Sequence, residues 1–203
     1  MLLAPLLAAC SVVGVRQTEE PAFAVLARIV TGQGEVEIRR YAPRLIAEVE
    51  VAGEEQAARS RGFRPLAAYI FGENTRAERI GMTAPVTQAG ERIGMTAPVA
   101  QRGGEGRWVI GFLMPARYTR ATLPAPRDPA ITIRELPEET VAVLRFAGLP
   151  DPAAVAGAEA RLAAALAGTP WRVTGPGGAW FYDPPWTLPP LRRNEVWRPV
   201  TGG

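Results

Sequence analysis

Residues 36–53 read VEIRRYAPRLIAEVEVAG and residues 131–148 read ITIRELPEETVAVLRFAG, so the two stretches align without a gap at an offset of 95 positions (131 − 36). In this alignment Ile38-Arg39 falls on Ile133-Arg134. Each copy predicts a strand, a proline-bearing turn and an alternating strand that ends at glycine, and together these form a β-hairpin. The chain is therefore predicted to consist of two similar halves.

A helical pattern follows the first predicted hairpin. Residues 54–72 predict a helix whose Leu66 and Ile70 face inward. Pro65 is expected to break or kink this helix near Gly62, because proline lacks the donor that a helix needs. Strand patterns then resume at 80–88, 93–101 and 108–115.

The second half carries clearer helix boundaries. Asp151 is a predicted N-cap, Pro152 fits the first turn, and Gly168 ends the helix, while Val155 and Leu162 lie on its apolar stripe. Strands are predicted after it at 171–173, 180–182 and 193–200.

Two such halves predict an α+β fold in a single domain. With 203 residues, 47% of them hydrophobic, the chain can close one sizeable core. We expect a distorted antiparallel β-barrel of about eight strands with two flanking helices and an internal pseudo-twofold repeat. A cleft then lies on the pseudo-twofold axis, and ligands tend to bind in such a place.

Histidine is absent from the sequence, and its absence excludes several kinds of site. Heme iron held by histidine, histidine zinc sites and nucleophiles paired with imidazole are ruled out. The single cysteine, Cys10, cannot form an internal disulfide. Because 23 arginines are balanced by 20 acidic residues, the net charge is only +3, and we expect no binding to nucleic acid.

Residues 1–19 are predicted to be a signal segment and tether, and residues 20–203 the folded domain. Residues 7–10 read LAAC and resemble a bacterial lipobox, in which the cysteine carries the lipid. We therefore expect an exported lipoprotein, anchored on the periplasmic side of the cell envelope by acyl chains on Cys10 and by nothing else. The alternative is an apolar tail on a cytoplasmic protein, because the charged region expected of a signal peptide is missing.

A shorter repeat lies inside the first half. Residues 78–86 read ERIGMTAPV, and residues 91–99 repeat them letter for letter. The repeat predicts two facing strands whose prolines lie at ends, edges or bulges, because proline cannot donate to a strand ladder. Met82 and Met95 are candidates either for contact with a ligand or for filling the core.

Several blocks along the chain together resemble the SOUL heme-binding protein family. Besides the repeated MTAPV they are Glu37-Ile38-Arg39-Arg40-Tyr41, residues 112–115 (FLMP) followed by Tyr118-Thr119, the stretch 123–129, residues 182–186 (YDPPW) and residues 192–196 (RRNEV). The resemblance covers about residues 20–200. It implies a distorted β-barrel with two flanking helices, similar to GyrI-like effector-binding domains.

The resemblance also implies binding of heme or a related tetrapyrrole without catalysis. Some family members are thought to hold the iron through histidine, which this sequence lacks. Others bind through an apolar surface near the first helix, and the matching positions here are Phe63, Leu66, Tyr69 and Ile70, with Arg59, Arg61 or Arg64 near the propionates and Arg79 or Arg92 as the next candidates. Arginine suits this role because it pairs with carboxylates through two parallel hydrogen bonds. The alternative is a core helix with a solvated arginine face.

The ligand of any bound iron stays open. The candidate donors are Met82, Met95, Tyr41, Tyr69, Tyr118 and Cys10, and no spacing singles out one of them. Four aromatic residues, Trp180, Phe181, Tyr182 and Trp186, are candidates for lining the cleft, although aromatics at strand spacing more often belong to the core.

Two other functions also stay open. The first is an enzyme, because GyrI-like relatives include hydrolases and some SOUL relatives are linked to tetrapyrrole turnover. An enzyme would need a carboxylate with a raised pKa beside tyrosine or tryptophan in the cleft. The neighbouring carboxylates Glu138-Glu139 fall in a predicted turn, where we expect them to be solvated. A structural envelope lipoprotein is the other. We expect a monomer that binds a tetrapyrrole or similar small molecule.

Overall fold

A computed structural model of the protein describes residues 18–32, 34–75 and 96–202. The predicted strand 80–88, the first residues of the predicted strand 93–101 and the candidate residues Cys10, Arg79, Met82, Arg92 and Met95 lie outside the described residues.

The described strands are β1 (Phe23–Thr31), β2 (Gly34–Tyr41), β3 (Arg44–Ala52), β4 (Asn74–Thr75), β5 (Val99–Gly104), β6 (Arg107–Leu113), β7 (Ala125–Pro126), β8 (Thr132–Leu136), β9 (Glu139–Phe146), β10 (Arg172–Val173), β11 (Gly178–Phe181) and β12 (Asn194–Thr201). The helices are α1 (Glu55–Ile70) and α2 (Pro152–Leu166), and a 3-10 turn spans Pro189–Leu191. The predicted α+β class is confirmed. None of the helices in the described ranges is long and apolar enough to cross a membrane.

One antiparallel sheet contains all the longer strands. Its order is β1-β2-β9-β12-β11-β5-β6-β3-β8, with β10 paired to β12, while β4 and β7 form a separate two-stranded ribbon. The strands β1 and β8 end this order and do not pair with each other. Within the described residues the sheet is therefore open, where we expected a closed barrel of about eight strands.

The two predicted hairpins are present as strands, but they are not hairpins. Strand β2 pairs with β1 and β9, and β3 pairs with β6 and β8, so β2 and β3 do not pair with each other, and neither do β8 and β9. The short connections explain this. Ala42-Pro43 and Pro137-Glu138 cannot form tight hairpin turns, because such turns need positive φ, which proline and the residue before it disfavour. The chain therefore leaves each first strand extended and enters a distant part of the sheet.

The strand order mirrors itself about its centre. The first half contributes β2, β3, α1, β5 and β6, and the second contributes β8, β9, α2, β11 and β12. If each strand of the first set is replaced by the corresponding strand of the second, and the reverse, the order from β2 to β8 becomes the same order read from its other end. The glycines that follow β3 and β9, Gly53 and Gly148, both adopt positive φ, at 114° and 101°. Strand β1, which the sequence did not predict, adds one further strand beside β2.

Both helices cover one face of the sheet. Helix α2 packs Val155, Ala158 and Leu162 against strands of both halves, and α1 packs on β3 and β6. The predicted boundaries of α2 are confirmed, since the Asp151 carboxylate accepts from Ala154 N at 2.8 Å. Helix α1 continues through Pro65, so the predicted break does not occur.

Candidate functional site

Three of the predicted contact residues on α1 are buried. Leu66, Tyr69 and Ile70 are at most 1% exposed and pack against β3 and β6. The Tyr69 hydroxyl donates to the Pro124 carbonyl at 2.7 Å, and burial raises the pKa of Tyr69. These side chains hold the helix on the sheet and present no surface to a ligand in this structure.

Arg59 is engaged at every nitrogen of its guanidinium. Its Nε donates to Gln101 Oε1 at 2.6 Å, Nη1 to the Pro150 carbonyl at 3.0 Å and Nη2 to Glu55 Oε1 at 3.2 Å. The guanidinium also lies 3.9 Å from the ring centroid of Phe181, and burial lowers the pKa of Arg59 against the opposing effect of Glu55. With these partners Arg59 joins elements of the fold. The sequence predicted that Arg59 lies near the propionates of a ligand, but in this structure its guanidinium is bound to other parts of the protein.

The remaining predicted residues of α1 are exposed. Phe63 is 40% exposed and meets Phe112 edge to face at 5.2 Å between ring centroids. Arg64 lies on the surface, and exposed Arg61 donates to the Ala52 carbonyl. Of the predicted contact residues within the described ranges, only Phe63, Arg61 and Arg64 are exposed to solvent.

An open cavity lies where the loop before β8 passes the end of α1. Its volume is about 350 Å³, and its lining residues are Arg120, Leu123, Pro124, Ala125, Pro126, Ile131, Thr132 and Ile133. The bond from Tyr69 to Pro124 connects its wall to α1. This volume falls within the range of small-molecule sites, which is about 300–1,000 Å³.

The wall of this cavity is apolar apart from Thr132 and one arginine. Arg120 is exposed and donates through Nη1 to the carbonyl of Ile133, which holds its guanidinium against another lining residue of the cavity. Sequence reasoning missed this cavity because it depends on β4 and β7, which pair Asn74-Thr75 with residues about 50 positions away. No local pattern signals such a pairing.

The sheet face opposite the helices carries a buried ionic cluster around Glu195, which is 0% exposed. Arg39 donates to both its oxygens, at 2.9 and 3.1 Å, Tyr182 donates through its hydroxyl at 2.7 Å, and Arg193 donates through Nε at 2.9 Å. Burial alone would raise the pKa of Glu195, but these donors outweigh it and hold the pKa below its ordinary value.

Aromatic side chains surround this cluster. Trp180 meets Tyr41 edge to face at 5.5 Å and stacks on Trp197 at 5.4 Å between ring centroids. Of the four predicted lining aromatics, Trp180 and Tyr182 lie here, whereas Phe181 joins the core under α2 and Trp186 is 63% exposed. The cavity beside these rings measures about 10 Å³, so in this conformation it has room for about one water molecule.

A second ionic cluster on this face is centred on Glu48. Arg102 and Arg134 each donate to both of its oxygens at 2.9–3.1 Å, and they lower the pKa of Glu48 although burial opposes them. The raised carboxylate pKa that an enzyme would need is therefore found at neither Glu48 nor Glu195. In the described ranges no group of three or more Cys, Asp or Glu residues is arranged to hold a metal ion.

Comparison with known proteins relates the chain to one sequence family and to several structures of the same fold. The sequence model of the SOUL heme-binding proteins matches residues 18–199. No protein of curated function matches the chain. The crystal structure of the EcmrR C-terminal domain is similar in fold, with a TM-score of 0.59 at 10% identity, covering 83% of this chain and 98% of that one.

Two Listeria innocua structures share the fold. An uncharacterized conserved protein has a TM-score of 0.51 at 11% identity, covering 92% of this chain and 95% of its own. A protein described as a hydrolase has a TM-score of 0.50 at 12% identity, covering 87% and 94%. At these identities the likeness concerns the fold alone.

Proposed function

Because this chain belongs to the SOUL heme-binding protein family, we propose that it binds heme, a related tetrapyrrole or a similar amphipathic small molecule, and that it does so without catalysing a reaction. The cavity of about 350 Å³ beside α1 carries the proposal, since the cavity beside the Glu195 cluster holds only about 10 Å³. A planar apolar ligand would place one edge in it.

The lining of the cavity suits the body and the rim of such a ligand. Leu123, Ile131 and Ile133 offer apolar contact, which stabilises a bound macrocycle by about 25 cal/mol for each Å² removed from water. Arg120 lies at the opening, where its guanidinium can meet a carboxylate. A bound heme would supply a flat apolar ring and two carboxylates.

The described lining contains none of the side chains that commonly hold heme iron, namely histidine, cysteine, methionine and tyrosine. The residues therefore fit a tetrapyrrole held by shape and by arginine, with or without a metal at its centre. Heme and metal-free protoporphyrin should bind with similar affinity.

Titration of the purified protein with hemin tests the proposal. The Soret band should shift and saturate near one equivalent, whereas a featureless rise without saturation would overturn specific binding. Thr132→Trp adds an indole at an exposed residue of β8 that lines the cavity and should weaken hemin binding about tenfold or more. Thr201→Trp, at an exposed strand position outside the cavity, is the matched control and should bind as the native chain does.

Arginine variants locate the carboxylates. Arg120→Ala should weaken hemin binding by about fivefold to tenfold, as expected for an exposed charged hydrogen bond. The double variant Arg61→Ala, Arg64→Ala tests the exposed surface of α1. If only the double variant weakens binding, the ligand lies on α1 beside Phe63. If neither has an effect, Arg79 and Arg92 become the candidates.

We also propose export and lipid attachment at Cys10, and their support is the LAAC sequence of residues 7–10. The alternative is a cytoplasmic location. Palmitate labelling in a bacterial host should be lost in Cys10→Ala. Absence of labelling in the native chain would reject the anchor.

We also infer that the two halves are related by an internal repeat. The mirrored strand order and the common offset of 95 positions support it. The pseudo-twofold axis then passes between β11 and β5.

A further inference from the structure

Residues 18–22, here called the strap, cross the sheet face that carries the Glu195 cluster. Glu19 forms a parallel bridge to Thr96, and its carbonyl accepts from Ala97 N at 2.9 Å. The Glu19 carboxylate accepts from Ala116 N at 2.7 Å. These contacts fasten the strap to segments that precede β5 and follow β6.

The strap places a carboxylate and an aromatic ring into the cluster. Both oxygens of Glu20 accept from Arg193 Nη1, at 2.9 and 3.1 Å. Phe23, the first residue of β1, lies 5.2 Å from the ring of Tyr41, and the Arg39 guanidinium lies 4.5 Å from the Phe23 ring centroid. Through Glu20 and Phe23 the strap and β1 thus supply the groups that an anionic aromatic molecule would supply.

The cavity of about 10 Å³ lies between these residues and the sheet. Glu20, Pro21 and Phe23 form one wall, and Tyr41, Trp180 and Tyr182 are among the residues of the other. If the strap and Phe23 moved away, the space of the Glu20, Pro21 and Phe23 side chains would join this small cavity. The three aromatic rings would then form the floor of the enlarged cavity.

Two arginines beside the cavity would have a hydrogen-bond donor without an acceptor once the strap had left. Arg193 would lose Glu20 but keep Glu195. Arg44, which lines the same cavity, has a buried Nε without a hydrogen-bond partner in the described part of the chain. A buried donor left unpaired is unfavourable, so an incoming acceptor would be stabilised here.

We propose that the space beneath the strap is a second ligand-binding site, which takes a carboxylate joined to an aromatic or other planar apolar body. The strap together with Phe23, the first residue of β1, occupies this site as an internal substitute for the ligand, and both must leave before it binds. The strap competes with the ligand, so the apparent affinity is the intrinsic affinity multiplied by the fraction of open chains. Neither the cavity beside α1 nor hemin binding is needed for this proposal.

Binding of pyrene-1-carboxylate to the full-length protein tests the proposal, with 1-pyrenemethanol as the neutral probe of the same shape. Quenching of tryptophan fluorescence reports occupancy, because Trp180 lines the site and Trp197 stacks on Trp180. Glu20→Gln weakens the strap and should tighten binding of the carboxylate on the order of tenfold. The neutral probe should bind more weakly than the carboxylate to every variant.

Glu35→Gln is the matched control, since it removes one carboxylate from an exposed pair with Arg28 that lies away from the strap. It should bind pyrene-1-carboxylate as the native chain does. Equal affinity in the native chain and in Glu20→Gln would overturn the proposal, as would equal affinity for the two probes.

Amide hydrogen exchange on the native protein gives a second measurement that needs no variant. The amides of Ala97 and Ala116 are both held by Glu19, so both should exchange faster when the carboxylate probe saturates the protein. Saturation without faster exchange at these amides would contradict displacement of the strap. Thr132→Trp should leave the probe affinity unchanged, and loss of binding in that variant would assign the probe to the cavity beside α1 instead.

Discussion

Gly62 faces Ile110 of β6 without room for a side chain, since a β-carbon there would lie 2.7 Å from Ile110 Cγ1 and 2.8 Å from its Cβ. We predict that Gly62→Ala lowers the free energy of unfolding by about 1–3 kcal/mol, because the buried helix must move away from β6. Gly157→Ala is the matched control in the exposed part of α2, where nothing lies within 4 Å. It should raise the free energy of unfolding by about 0.5–1 kcal/mol. Urea unfolding measures both, and equal effects would contradict the close contact.

Arg59 shows how a residue chosen for binding can serve the fold. We predict that Arg59→Ala lowers the free energy of unfolding by roughly 2 kcal/mol, because Glu55 and Gln101 lose a charged donor while partly buried. Its hemin affinity should match that of the native protein. Arg64→Ala, on the exposed surface of the same helix, should change stability by no more than about 0.5 kcal/mol. If Arg59→Ala were as stable as the native protein but bound hemin more weakly, Arg59 would contact the ligand and would not serve the fold.

The sequence predicted most elements but not their pairing. Helix α2 is bounded by Asp151 and Gly168 as expected, because caps are local signals. The hairpins were wrong because hydrophobic alternation identifies a strand without naming its partner. Pro43 and Pro137 carried the missing information, since a proline in a two-residue connection opposes a tight turn. Strand β1 was missed because its exposed side chains, such as Val25 and Val30, do not alternate as a half-buried strand should.

The N-terminus of α2 depends on its capping bond more than that of α1 does. Asp151 accepts from Ala154 N, whereas Glu54 makes no side-chain capping bond to α1. We predict that Asp151→Ala lowers the free energy of unfolding by about 1 kcal/mol and that Asp151→Asn retains nearly all of it, because asparagine caps about as well. Thermal unfolding followed by circular dichroism measures both. An equal loss in the two variants would assign the effect to charge and not to the cap.

At the scale of the whole molecule, the sequence predicted the region in which the second proposed site lies. The repeat predicted a site between two halves, and the Glu195 cluster with Trp180 and Tyr182 lies close to the junction of β11 and β5. What could not be read is that the strap lies over it, because the bonds of Glu19 and Glu20 join residues up to 173 positions apart. The larger cavity depends on equally distant contacts. Sequence patterns report local periodicity, and these contacts are tertiary.

The two ionic clusters make the stability of the whole sheet sensitive to acid. Glu195 links β2 to β12, Glu48 links β3 to β5 and β8, and the pKa values of both are lowered in the folded chain. The unfolded chain therefore takes up protons first as the pH falls, so the free energy of unfolding is full above the ordinary glutamate value of about 4.3 and declines below it.

We predict that urea unfolding gives a nearly constant midpoint between about pH 5.5 and pH 8 and a falling one as the pH drops below about 4.5, through the lowered pKa values of Glu48 and Glu195. Glu48→Gln should be less stable at neutral pH, because Arg102 and Arg134 lose their shared carboxylate, and it should lose less stability than the native chain between pH 5 and pH 3. Glu138→Gln, at an exposed position, should follow the native curve. A native midpoint that stays level or rises toward pH 3 would mean that neither cluster stabilises the folded sheet through its charged carboxylate.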